Sequence, residues 1–386
     1  MVNLYKWMVI GTLLMGIVVL LTTSYYMQTR KRGRMYVKAV NSDNKLVDVQ
    51  ESKSCSDCSA KNKTQISILF INKPRHMNIL EGNQYLKSSC YFKNCILTDF
   101  VKNISEMSAI VFNAQDNLPF KGEYLKQIRK ESQIWIIYRA EPIAAVRTRW
   151  FREKEWKNTM NWTMGYRLDS DIFLPHQLLV TRKTQIKRDY VSVYNRKTKM
   201  AAWIVSHCHA DSLRDEYVRA LIKEGIEVDI YGKCSKNRTR VRGRTLYERI
   251  DKYYKFYLSF ENNFCLDYVS EKFFNYISLD TILIVRGGLN YSKHFDKNAF
   301  IDASSFSSVK SLANYMLSVS NDVKLFTKFL QAKDKYIVNG TPGYSRAVST
   351  CRLCEHMNNK DKYIRTYKDI ADYLENGTCF NPKYIV

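Results

Sequence analysis

The chain has 386 residues, 45% of them hydrophobic, enough for two domains with buried cores and too many for a disordered or low-complexity chain. Lysine and arginine outnumber aspartate and glutamate by 61 to 37, a formal net charge of +24. That charge suits acidic surfaces or phosphate ligands. No zinc-finger spacing, RRM signature or long basic helix accompanies it, which argues against nucleic acid as the partner.

In chain order, WMVIGTLLMGIVVLLTT at 7–23 is an uncharged run near the lower length of a membrane span. TTSYYMQTR ends in no convincing small-x-small cleavage site, so the run reads as an uncleaved signal anchor with residues 1–6 as a short tail. RKRGR at 30–34 follows it, and the positive-inside rule then places the bulk of the chain in the cytosol. Seven N-x-S/T sequons, at Asn62, Asn103, Asn161, Asn237, Asn290, Asn339 and Asn376, and ten cysteines point instead to an oxidising lumen. The lumenal orientation is the expectation. Residues 24–64 are polar and lack periodicity, as a stem does. CSDC at 55–58 reads there as a local disulfide or an intermolecular link; no second half at zinc spacing follows it.

From residue 65 the short apolar runs ISILFI, AIVFNA and QIWIIY read as buried strands, with helical or mixed stretches such as FKGEYLKQIRKES between them. Such alternation predicts a parallel sheet with crossover helices. The basic passage TRKTQIKRDYVSVYNRKTK at 181–199 reads as an inter-domain linker. Beyond it MAAWIVS, IEVDIYG, KFYLSFEN and TILIVRGG are strand-like. DSLRDEYVRALIKEG is a helix with Leu213, Tyr217, Ala220, Leu221 and Ile222 on one face, ended by Gly225. YVSEKFFNYISL and SVKSLANYMLSV are further helices. Two α/β units in tandem predict a ligand in the cleft between them.

FENNFCLDYVSEKFF, residues 260–274, reads as a strand end, a loop and a helix start. Ligands of doubly wound sheets sit outside the carboxyl ends of strands, and helix N-termini favour anions. Tyr268, Glu271 and Lys272 would stand beside such a site, the lysine for phosphate and the glutamate for ribose hydroxyls. The plainer alternative is a capping carboxylate and a solvated lysine.

The same stretch resembles the donor signature of the α1,3-fucosyltransferases, glycosyltransferase family 10, F-E-N-S…D-Y-[IV]-[ST]-E-K. NWTMGYRLDSDIFLP at 161–175 is similar to a second segment of that family, and VSHCHADSLRDEYVRALIKEGIEVDIYGKC to a third. The late CRLC has a counterpart too, and the matches keep family order over roughly residues 65–355. The resemblance implies a GT-B fold of two Rossmann-like domains facing a cleft: an acceptor-side domain at 65–185, a linker at 186–199, a donor domain at 200–355 and a tail at 356–386. It implies a single-pass type II Golgi membrane protein with its body in the lumen. GDP-fucose is then the donor and a glycan the acceptor, with inverting transfer and no tightly bound cofactor or catalytic metal. DSD at 169–171 is accordingly read as structural.

Carried over position by position, Asn262, Tyr268, Glu271 and Lys272 fall on donor-contacting positions, and Arg214 on the arginine that meets the diphosphate; its plainer reading is a solvated ion pair. Glu141, in WIIYRAEPIAA, falls on the family's catalytic base. The serine of the family's E-S-P is missing there, and IAAV replaces a polar stretch. Asn263 stands for a serine, Phe274 for a frequent tryptophan, and Arg286 for an apolar residue. Arg286 either snorkels from its strand end or adds a cation near the donor. The resemblance also implies that Cys351 and Cys354 pair with Cys90 and Cys95. Proximity within one α/β unit pairs Cys208 with Cys234, and Cys265, Cys379 and the stem cysteines are left unassigned. The rival readings are a GT-B enzyme for another nucleotide sugar and a weak or inactive member acting as a lumenal glycan- or protein-binding partner.

Overall fold

A computed structural model of the chain describes residues 64–382 except 76, 102, 146, 147, 185, 236–242, 340 and 341, and in addition two short strands, β1 (Val37–Val40) and β2 (Leu46–Val49). These two pair antiparallel, so a hairpin lies within the segment read as an aperiodic stem. The anchor at 7–23, RKRGR, CSDC, Asn62 and Asn237 fall outside the described residues. Among the described residues no helix is long and apolar enough to cross a membrane.

The first domain runs β3 (Ile66–Phe70), α1 (Ile79–Ser89), β4 (Cys95–Thr98), β5 (Ala109–Asn113), α2 (Gly122–Ile128), β6 (Ile134–Arg139), β7 (Trp162–Gly165) and β8 (Ile172–Phe173). Its six strands are parallel, in the order β4-β3-β5-β6-β7-β8. Every residue of β5 is buried, which is why AIVFN is a continuous apolar run and not an alternating one. Asn78 caps α1 by accepting from the amides of Leu80 and Glu81.

Strand β9 (Leu178–Thr181) leads to α3 (Tyr190–Asn195), which lies inside the predicted linker. Val193 of α3 joins the second domain's core, and Arg188 just before it pairs with Asp280 and Asp334. The second domain continues with β10 (Lys199–Ile204), α4 (Arg214–Lys223), β11 (Val228–Tyr231), α5 (Gly243–Tyr253), β12 (Tyr254–Phe260), α6 (Glu271–Ile277), β13 (Ile282–Arg286), α7 (Tyr291–His294), β14 (Phe300–Asp302), α8 (Val309–Asn321) and α9 (Val323–Lys333). Its sheet is parallel in the order β11-β10-β12-β13-β14. Trp203, Leu221, Leu258, Ile284 and Met316 fill one face of it; Tyr254, Tyr257, Phe273 and Val285 fill the other.

The buried face of α4 differs from the one expected. Arg214, Tyr217, Val218 and Leu221 point inward, whereas Leu213 and Ile222 are exposed. Leu213 is the N-cap, with φ at +51°, so the helical register begins one residue after it.

After α9 the chain crosses back. Strand β15 (Tyr336–Asn339) pairs antiparallel with β9, and α10 (Pro342–Asn358) packs on α1 and β8. Leu353 and Cys354 join the first domain's core, so α10 belongs there and not to the donor domain that was expected to reach residue 355. Helix α11 (Ile370–Glu375) adds Ile370 and Leu374 to the same domain. Disulfides Cys90–Cys351 and Cys95–Cys354 fasten the return, and Cys208–Cys234 lies within the second domain. A fourth, Cys265–Cys379, joins the 260–274 loop to the C-terminal segment.

Candidate active site

The loop after β12 reaches the first domain, where Tyr268 meets Glu141 just past the end of β6 and Asp267 meets Leu168. It is held down from three sides. The Glu261 amide donates to the Arg286 carbonyl (2.9 Å), the Leu266 amide to Thr378 (2.8 Å), and the Leu168 amide of the first domain donates to the Asp267 carboxylate (3.1 Å). Close packing beneath it requires Gly288, where a Cβ would stand 2.3 Å from the Cys265 carbonyl oxygen.

Glu261 is fully buried. Its carboxylate accepts from the Ser270 amide (2.8 Å) and hydroxyl (2.8 Å) and from Lys272 Nζ (3.3 Å). Lys272 Nζ also donates to Ser270 Oγ (2.8 Å) and to Glu271 Oε1 (3.2 Å). Burial alone lowers a lysine pKa, but the Glu261 and Glu271 carboxylates reverse that and hold Lys272 above its ordinary value. The site therefore presents a fixed, protonated ammonium at the start of α6. Burial pushes the Glu271 carboxyl upward, and Lys272 and His176 together outweigh it, leaving Glu271 below the usual carboxylate range. Half of its side chain is open to solvent.

Tyr268 precedes α6, one turn earlier than a place on the helix. Its ring is buried, and its hydroxyl donates to Glu141 Oε2 at 2.6 Å. Burial, with Glu261 and Glu141 nearby, holds the phenol well above its ordinary pKa, so it donates and does not ionise. Glu141 stands just past the end of β6, partly exposed. The predicted base and a predicted donor residue, 127 positions apart, are thus one hydrogen-bonded pair across the domain boundary.

Arg214 is placed differently from either reading of it. Its side chain is 2% exposed, and its two terminal nitrogens donate to the carbonyls of Phe260 (3.0 Å) and His207 (2.7 Å). It is buried, and among the described residues it forms no ion pair. Desolvation lowers its pKa, with Glu261 and Asp215 opposing. It braces the end of β12 and the loop after β10, and among the described residues its Nε has no partner. Asn262 Nδ2 donates to Asn263 Oδ1 (2.6 Å), and the Asn262 carbonyl accepts from the Ser212 amide (3.2 Å). Asn262 and Lys272 are half-buried and Glu271 is exposed, whereas Arg214 is buried.

Three residues of this arrangement went unassigned in the sequence. Glu261 and Ser270 orient Lys272; the F-E-N letters held the signal for the first. His176 left none. Its Nε2 lies 3.2 Å from the Ala140 carbonyl and 3.8 Å from Glu141 Oε1, its Nδ1 3.9 Å from Glu271 Oε2, and its ring packs edge-on to Tyr268. An apolar cavity of about 260 Å³ adjoins it, walled by Phe173, Leu179, Val269 and Phe295. Asp169 and Asp171 of DSD are engaged as structural carboxylates. Asp169 accepts from Arg167 and Tyr373, and Asp171 from Thr163, Arg365 and Tyr367. Among the described residues no group of three or more His, Cys, Asp or Glu could hold a metal ion.

A family model described as "Fucosyltransferase, N-terminal" matches residues 62–177, and "Glycosyltransferase family 10 (fucosyltransferase) C-term" matches residues 194–373. The chain is 31% identical over 298 residues to "Alpha-(1,3)-fucosyltransferase C" of Drosophila melanogaster, covering 72% of this chain and 68% of that protein. It is 31% identical over 351 residues to "Glycoprotein 3-alpha-L-fucosyltransferase A" of the same organism, covering 87% and 65%. The chain thus spans about two thirds of the length of these relatives. Its fold is similar to a crystal structure of an α1,3-fucosyltransferase with GDP-fucose, at a TM-score of 0.52 and 14% identity, over 81% of this chain and 96% of that one. With both halves of its cleft matched by the two models, the chain belongs to glycosyltransferase family 10, the fucosyltransferases.

Proposed function

We propose that this protein is an inverting α1,3-fucosyltransferase, moving fucose from GDP-β-L-fucose to a 3-hydroxyl of N-acetylglucosamine in glycoprotein or glycolipid glycans. The observation that carries the reading is the Tyr268–Glu141 hydrogen bond, which sets a carboxylate of one domain against the anion-ready loop of the other. The relatives' names support the linkage, and the GDP-fucose complex of the fold neighbour supports the donor.

In this mechanism Glu141 takes the proton of the sugar 3-hydroxyl as that oxygen attacks the anomeric carbon. The C1–O bond to the diphosphate breaks on the opposite face, so a β-linked donor gives an α-fucoside. Lys272, already oriented by Glu261 and Ser270, meets the charge growing on the diphosphate without reorganising. Glu271 accepts from the ribose hydroxyls, and Asn262 adds a polar contact. Arg214 contributes its field from below, close enough to oppose protonation of Lys272. No step calls on a metal.

The body works in the Golgi lumen, anchored through residues 7–23. The four disulfides of the structure support this, because such bonds persist in oxidising compartments. The deciding experiment incubates the soluble lumenal part with GDP-fucose and a glycan array, then maps the linkage. Fucose on a 3-hydroxyl is the expected product. Transfer only from another nucleotide sugar, or GDP binding with no transfer to any glycan, would refute the reading in favour of one of its rivals.

A further inference from the structure

Arg286 ends β13, and its side chain is 5% exposed. Its Nη1 donates to the Ser212 carbonyl at 2.7 Å, and its guanidinium lies 4.5 Å from the Tyr217 ring and 4.7 Å from the Phe264 ring. Among the described residues no carboxylate forms an ion pair with it. Desolvation depresses its pKa to about 10, only partly opposed by Tyr217 and Glu216. An arginine buried to this degree without a counter-ion is costly unless something meets its remaining N–H groups.

Arg286 lines a cavity of about 550 Å³ between the ends of β13 and β14, the start of α8 and the C-terminal segment. Its walls are Phe264, Phe306 and Phe380, with Ser307 and Ser308 at the rim. Ser308 caps α8 through the Ser311 amide, which leaves the first-turn amides of Val309 and Lys310 without intrahelical partners. Asp302, at the end of β14, accepts from the amide (2.9 Å) and hydroxyl (2.7 Å) of Ser304, and no carboxylate lines the cavity among the described residues. The cavity combines a buried cation, hydrogen-bond donors and flat aromatic walls, and its size suits a ligand of one or two sugar rings. None of Glu141, Tyr268, Glu271 and Lys272 lines it.

We propose that this cavity is a second ligand site, taking a sugar ring that bears one carboxylate or sulfate, with the oxyanion on Arg286 and the ring against Phe264 and Phe306. The arginine fork suits an oxyanion in a way that a lysine would not. The site is separate from the donor anchors and does not depend on the fucosyl-transfer reading.

The full chain would be titrated by calorimetry and ligand-observed NMR with N-acetylneuraminic acid, galactose 6-sulfate and neutral galactose, with and without saturating GDP. Binding of at least one acidic sugar, undiminished by GDP and absent for galactose, is expected. Arg286→Met, an apolar replacement that suits the buried position, should weaken acid binding about tenfold or more while GDP binding reports an intact fold. Lys272→Ala should do the reverse. Equal binding of galactose, displacement by GDP, no binding of either acid, or an Arg286→Met protein that binds GDP and acid as before would each overturn the site.

Discussion

Tyr268 and Glu141 allow a sharp test of the mechanism, because the phenol reaches the base at 2.6 Å from the other domain. Glu141→Gln keeps the shape and can still accept from the phenol, but it removes the base. The expected loss in kcat is about 10²–10⁴-fold, the usual share of general-base catalysis, with GDP affinity nearly unchanged. Tyr268→Phe deletes one hydrogen bond to a charged acceptor and little volume, from a site where the ring is 1% exposed. Hydrogen bonds to charged groups are worth about 1.5–3 kcal/mol, so kcat should fall roughly ten- to 150-fold through loss of orientation. If the phenol acts through the carboxylate, the two losses are not additive. In the Glu141→Gln background, Tyr268→Phe should then cost less than about threefold, because no base is left to orient. Steady-state rates with GDP-fucose and an accepted glycan, beside calorimetry with GDP, give all four corners of the cycle. Equal losses from Tyr268→Phe in both backgrounds would show that the phenol serves the donor and not the base. Near-normal turnover of Glu141→Gln would move the base elsewhere, and the missing serine after Glu141 would mark a misplaced carboxylate.

Lys272→Ala should weaken GDP binding by about 1.5–3 kcal/mol, one charge-assisted contact, and slow transfer in step; calorimetry with GDP checks it. His176→Ala should lower kcat more than it alters GDP affinity, because the ring meets the backbone just before the base; His176→Asn or His176→Gln, able to restore a donor to the Ala140 carbonyl, should recover part of the rate. Cys265→Ser with Cys379→Ser should destabilise the chain by about 2–4 kcal/mol in reversible denaturation, since the bridge closes a separation of 114 residues. Lys333 is buried, with its ammonium on the Thr281 carbonyl, and burial lowers its pKa to about 7. The unfolded chain binds that proton more tightly, so the penalty is full below about pH 7 and fades as pH rises toward the ordinary lysine value. Lys333→Met should therefore raise the melting temperature at pH 6 and much less at pH 10; an equal gain at both would rule out charge burial as the cause.

The sequence made the strands of both sheets legible because parallel strands covered on two faces read as unbroken apolar runs, as AIVFN and TILIV do. It made the donor loop legible because acid, amide, phenol and ammonium crowd into the twelve positions from Glu261 to Lys272. What it hid depends on contacts between distant segments. Arg214 opens a helix whose next residues are acidic and whose apolar positions suggest a different inward face, so local periodicity turns it toward solvent. It is the carbonyls of Phe260, at the end of β12, and of His207, in the loop after β10, that draw it inward. Cys265 and Cys379 lacked any spacing rule, because their pairing follows from the path of the chain after α10 back across the first domain. That path also adds contacts that hold the loop. The Arg139 guanidinium donates to the Leu374 carbonyl at 2.7 Å, Cys379 holds Cys265, and Phe380 meets Phe264. The end of β6 that positions Glu141 and the loop that positions Tyr268 and Lys272 are thus tied to one C-terminal segment. Base and donor anchors then keep their relative placement through that segment as well as through the Tyr268–Glu141 bond. Cutting the disulfide should accordingly loosen catalysis before it loosens GDP binding, since the anchors Glu261, Ser270 and Lys272 sit within a single loop and their bonds do not cross the domain boundary.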